Sequence, residues 1–72
     1  AGLGNKALGK IHFAYGKALF CAEDYAAARN QFQQAARSGD AKWVAAANEG
    51  IAACNEYITY QAAKEKQAQQ GG

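Results

Sequence analysis

The stretch Gly9–Ala36, GKIHFAYGKALFCAEDYAAARNQFQQAA, constrains the fold more than any other part of the chain. His12, Tyr15, Gly16 and Leu19 fall at the spacing of one helix face. After a short break at Cys21–Asp24, Ala28, Phe32 and Ala35 set out a second face running the other way. A glycine inside a helix costs about 1 kcal/mol against alanine, so Gly9 and Gly16 imply that another backbone comes close. Two helices meeting over small residues make a hairpin, and the remaining residues must cover it.

With 72 residues the chain supports one small domain, and burial alone leaves a domain of that size marginal. Half of the residues are apolar, but many are alanines that bury little area. Leu, Ile, Val and Phe are few, which points to close helix packing, a piece of a longer array, or self-association. There is no proline to stop a helix by ring sterics. The net charge of +2 is scattered through the chain, whereas a nucleic-acid footprint needs a clustered basic stripe, so no nucleic-acid partner is expected. No run of about 18 apolar residues occurs and no charged-then-apolar leader, so no membrane insertion is expected. Cys21 and Cys54 sit in predicted helix interiors; they are read as free, buried thiols, with a single bridge as the alternative. Reduced cysteines point to the cytoplasm. Residues 1–4 read as a tag remnant or frayed terminus, 5–68 as the domain, and 69–72 as a disordered tail.

In chain order, helix one is expected to start at Asn5, a good N-cap, and to run to about Ala22. Its apolar stripe is Leu8, Ile11, His12, Tyr15, Leu19 and Ala22. Asp24 caps helix two, which runs to about Arg37 and presents Ala28, Phe32, Ala35 and Ala36 on one face. Ser38-Gly39-Asp40 stops one helix and starts the next: Gly39 suits a left-handed C-cap and Asp40 an N-cap. So short a link makes neighbouring helices antiparallel. Helix three starts near Ala41, with Trp43, Ala47, Gly50, Ile51, Cys54, Ile58 and Ala62 on one face. Beyond Ala63 it is polar all round and should project into solvent or fray. The expected class is all-α, an antiparallel hairpin plus a third, capping helix.

The spacing His12-x2-Tyr15-Gly16-x2-Leu19, then Ala28-x3-Phe32 and Ala35, resembles a tetratricopeptide repeat. Gly16, Ala28, Phe32 and Ala35 match that pattern outright. His12 replaces its Trp, Tyr15 its Leu, Leu19 its Tyr and Asp40 its closing Pro. Gly16 and Gly50 lie 34 positions apart, as do Ala28 and Ala62, which is one repeat length. The second copy is degenerate: it lacks a clear turn and has Lys66 where the aromatic belongs. The resemblance therefore covers about one and a half repeats. A microtubule-interacting-and-trafficking domain, also three helices of this length, is the rival. It has a longer second connection and a leucine-rich third helix, both missing here.

Similarity to tetratricopeptide repeats implies a non-catalytic module that binds a peptide or partner protein on its first-helix face. Candidate contacts are Lys10, Phe13, Lys17 and Phe20, which point away from the Leu8–Leu19 stripe, with Asn48 and Asn55 on helix three as additional amides. Phe13 and Phe20, seven apart, share a face with Lys17 beside them and would suit apolar groups with a carboxylate. Equally, helix three could pack over both rings. The Lys and Asn pair of the family's carboxylate-clamp subset is not matched, since that neighbourhood carries Phe13 and Lys17. The second reading is a structural module that stacks with copies of itself into homo-oligomers. Catalysis is not expected: His12, the only histidine, has no Ser, Asp or Glu on its face and reads as a boundary residue donating to a backbone carbonyl. No cofactor is expected, and His12, Cys21 and Cys54 lack metal-ligand spacing.

Overall fold

A computed structural model of the chain describes residues 4–71, with side chains over 8–67. The protein is all-α: α1 spans Gly4–Cys21, α2 Tyr25–Ala36 and α3 Ala41–Gly71. The three helices are 18, 12 and 31 residues long. α2 packs against both neighbours, while α1 and α3 touch each other less.

The α1–α2 turn is fixed by backbone hydrogen bonds and one side chain. Asp24 N–H donates to the Leu19 carbonyl at 2.9 Å and Glu23 N–H to Phe20 at 3.0 Å, the paired bonds of a Schellman ending. Glu23 sits at φ 65°, the left-handed position that such an ending usually gives to glycine. Asp24 then caps α2, its Oδ1 accepting from the Ala27 N–H at 3.3 Å. At the other end of α2, Gly39 adopts φ +85°, and Asp40 Oδ1 accepts from the Lys42 N–H at 3.1 Å. Asp24, Gly39 and Asp40 thus follow the turn chemistry written in the sequence, whereas Glu23 takes its left-handed position without being glycine.

The core is small and centred on α2. Tyr25, Ala28, Phe32, Ala35, Ala47 and Cys54 are buried, and Phe13, Leu19, Phe20, Ala36 and Ile51 pack around them. Phe32 is its axis. A Cβ added to Gly16 would stand 2.8 Å from Phe32 Cε1, and one added to Gly50 would stand 2.8 Å from Phe32 Cδ2. Both distances are well inside van der Waals contact, so the ring fits only because neither helix carries a side chain there. Ser38 plays a smaller version of this part beneath Gly9, whose added Cβ would lie 2.6 Å from its Oγ.

Four expectations need correction. The stripe assigned to the core on α1 is only partly turned inwards: Leu8, Ile11 and Tyr15 are exposed, at 46%, 58% and 56%, and so is Ala22, whereas His12 and Leu19 are half-buried and Leu19 packs on the core. The inward face is Gly9, Phe13, Gly16 and Phe20, because the glycines let α2 and α3 approach on that side and the rings fill what remains. α1 begins at Gly4, so Asn5 falls in its first turn. Cys21 and Cys54 are both free, yet only Cys54 is buried; Cys21 is exposed. Helix α3 continues through Gly71, past the start of the expected tail at residue 69. Its Ala-, Gln-, Glu- and Lys-rich sequence favours helix, and no proline interrupts it. Residues 1–3 and 72 lie outside the described residues.

Residues Gln61–Gln67 are exposed all round. A helix of this length runs about 46 Å at 1.5 Å per residue, and the molecule measures 56 × 17 × 15 Å. Beyond Tyr57, which still packs on Phe20 and Tyr25, α3 therefore extends past the hairpin. At the positions 34 beyond Glu23 and Asp24 stand Tyr57 and Ile58, which offer neither a cap nor a left-handed residue, so the chain does not turn back there.

Candidate functional site

Between α1 and α3, on the side away from α2, lies an open apolar cleft of about 300 Å³. Phe13, Lys17, Phe20 and Cys21 come from α1, and Ala46, Glu49, Gly50 and Ala53 from α3; Phe32 lies at its base. The cleft exists because α3 lines it with the small residues Ala46, Gly50 and Ala53, with Glu49 the one long side chain on that wall. Two charges of opposite sign, Lys17 and Glu49, line it.

The aromatic walls are held by their neighbours. Phe13 lies 5.5 Å from Phe32 and 5.3 Å from Trp43, centroid to centroid, both in tilted geometry. Phe20 meets Tyr25 at 5.1 Å and Tyr57 at 5.4 Å edge-on, and Tyr25 stacks on Tyr57 at 4.8 Å. Such pairs favour offset and edge-to-face arrangements, which fix the rings in place. Lys17 Nζ sits 5.9 Å from the Phe13 centroid, within cation–π range.

Of the residues expected to make contacts, the structure brings Phe13, Lys17 and Phe20 together. Phe13 and Phe20 are half-buried: α3 touches each ring, through Trp43 and Tyr57, while part of each still lines the cleft. Lys10 is exposed but not among the lining residues. Asn48 is two residues from Gly50, on the opposite side of α3, and is solvent-exposed. Asn55 is turned towards α2, where its Oδ1 accepts from Arg29 Nη1 at 2.8 Å. Neither asparagine belongs to the cleft. Cys21, Ala46, Glu49, Gly50 and Ala53 were not singled out as contacts, although the glycine echo at Gly50 falls within the α3 wall.

Elsewhere, His12 is half-buried and its Nδ1 pairs with Gln31 Oε1 at 2.7 Å, so its partner is a side-chain amide and not the expected backbone carbonyl. Burial pushes the Cys54 thiol above its ordinary value, partly offset by the Arg29 guanidinium. Burial likewise raises the Tyr25 hydroxyl, with Glu23, Tyr57 and Cys54 adding to it. Among the described residues no group of His, Cys, Asp and Glu could hold a metal ion, and no helix is long and apolar enough to cross a membrane. No family model matches the chain, and no curated protein or solved structure matches it either.

Proposed function

We propose that the chain is a non-catalytic protein–protein interaction module of the tetratricopeptide type, which takes a peptide or a partner's helix in the cleft between α1 and α3. The observation that carries this reading is the cleft itself: an apolar trough with aromatic walls and two opposite charges, Lys17 and Glu49, along it. Small-residue floors admit side chains, aromatic walls supply contact area, and flanking charges fix orientation. The repeat-length spacing of Gly16 and Gly50, both against Phe32, supports the family resemblance.

The test is a titration of isotope-labelled protein with a short peptide that carries an aromatic residue and a carboxylate. Amide shifts should move at Phe13, Lys17, Phe20, Gly50 and Ala53, and Lys17→Ala should weaken binding most at low salt. Shifts absent from these residues remove the cleft as the site. Phe13→Ala and Phe20→Ala are poorer probes than the sequence alone suggests. Each ring also packs on the core, so truncation should cost about 3 kcal/mol of stability, the low end for a phenylalanine because each is half-buried, besides any effect on binding.

Self-assembly is the second reading. The exposed Leu8, Ile11 and Tyr15 on α1 form an uncovered apolar face of the kind that stacked hairpins bury.

A further inference from the structure

The cleft is not an isolated feature of α3. Ala46, Gly50, Ala53, Tyr57, Tyr60 and Lys64 recur at alternating intervals of three and four, one continuous seam down the helix. The first half of that seam is small and floors the cleft. The second half is large, and Tyr57 and Tyr60 are 45% and 64% exposed. A low floor comes first, with Phe32 filling the space against Gly50, and knobs come second, on a single helix.

Resting on the cleft as the binding site, we infer that its occupant is a second copy of this chain, with the two α3 helices antiparallel about a two-fold axis that crosses the seam between Ala53 and Tyr57, on the side of α3 opposite Asn55. In that register the second copy's Tyr60 stands over Gly50, its Tyr57 over Ala53 and its Lys64 over Ala46. The pairs repeat reciprocally, because each two positions are equidistant from residue 55. The second copy's Lys64 then falls one helical turn from Glu49, a cation beside the acidic side chain of the cleft. The projecting half of each α3 lies in the other copy's groove, where it gains a wall from α1. In the single chain Tyr57 of that half sits in the aromatic cluster with Phe20 and Tyr25, while Gln61–Gln67 are exposed all round.

The surface area agrees. A folded monomer of 7.6 kDa should expose about 4,300 Å² by the usual scaling with mass. This chain exposes 5090 Å². The excess of about 800 Å² comes with the elongated shape, 56 × 17 × 15 Å, and leaves surface along α3 for a second copy to cover.

The experiment is sedimentation equilibrium of the full chain under a reductant, from micromolar to millimolar concentration, with Cys21 alkylation as a second readout. Cys21 is an exposed thiol lining the cleft, whereas Cys54 is buried. The mass should double with concentration, and Cys21 alkylation should slow several-fold over the same range. Tyr60→Glu should stay monomeric with unchanged helicity and reactive Cys21, since that side chain touches solvent. Glu49→Lys and Lys64→Glu should each weaken the dimer, and the two together should restore it. A dimer lost by Ile11→Lys but kept by Tyr60→Glu would place the contact on the outer face of α1 and overturn the inference. A mass that stays at one chain throughout overturns it as well. In that case, peptide-induced shifts at Phe13 and Phe20 would leave the cleft reading standing, and their absence would remove both.

Discussion

At the scale of single residues, the decisive relation is between Phe32 and two glycines. Alanine at Gly16 should gain about 1 kcal/mol of helix propensity, but overpacking a filled site costs about 1–3 kcal/mol, and Phe32 cannot yield towards α3 because Gly50 closes the other side. Gly16→Ala is therefore expected to lower stability in chemical denaturation. The same change made in a Phe32→Leu background should be neutral or stabilising, since the ring that it strikes is gone. Equal effects in both backgrounds would disprove the contact. Titration offers a second check at this scale. Cys54 and Tyr25 both hold their protons more tightly when folded than their ordinary values of 9.0 and 10.0. Their contribution is fully present below those values, where the unfolded chain is protonated too, and is lost as pH rises through the raised folded values. The melting temperature should be insensitive to these groups between pH 6 and 8 and should fall above about pH 9, less steeply in Cys54→Ala measured against its own neutral-pH value.

At the scale of elements, the two links were legible in the sequence because turn chemistry is local. Asp24, Gly39 and Asp40 each act through their own backbone neighbours, so their roles did not depend on what packs around them. Glu23 is the exception that sequence did not disclose, a non-glycine in a left-handed ending. Glu23→Gly should raise stability by about 1 kcal/mol, the left-handed penalty less the added entropy of glycine, read as a shift in denaturation midpoint. The orientation of α1 was not legible, and the reason is physical. Apolar residues surround that helix, with Leu8, Ile11 and Tyr15 on one side and Phe13 and Phe20 on the other, so periodicity alone selects neither face. Gly9 and Gly16 decide it, because a helix buries the side on which a neighbour can come closest. The sequence put Phe13, Lys17 and Phe20 in one patch, but a cleft also needs its opposite wall. That wall depends on how α3 crosses α1, which no spacing within α1 encodes.

At the scale of the molecule, stability is uneven along the long axis. The hairpin and the first half of α3 share the core around Phe32, whereas Gln61–Gln67 are exposed all round and lie outside it. Amides in that segment should exchange with solvent far faster than those of Ala47–Cys54 in dilute solution, as measured by hydrogen exchange with mass spectrometry. Protection of the same amides as concentration rises would report the cover that a second copy provides. Uniform protection along α3 in dilute solution would contradict the picture of an unsupported half.

The seat of Phe32 has one more consequence, for motion. Its Cε1–Cδ1 side abuts the α1 backbone at Gly16 and its Cδ2–Cε2 side the α3 backbone at Gly50. A phenyl ring wedged between two main chains can rotate by half a turn only when both helices part for an instant. The rate of that flip is thus a clock for the breathing of the whole hairpin, and the two sides of one ring carry the timing of the fold.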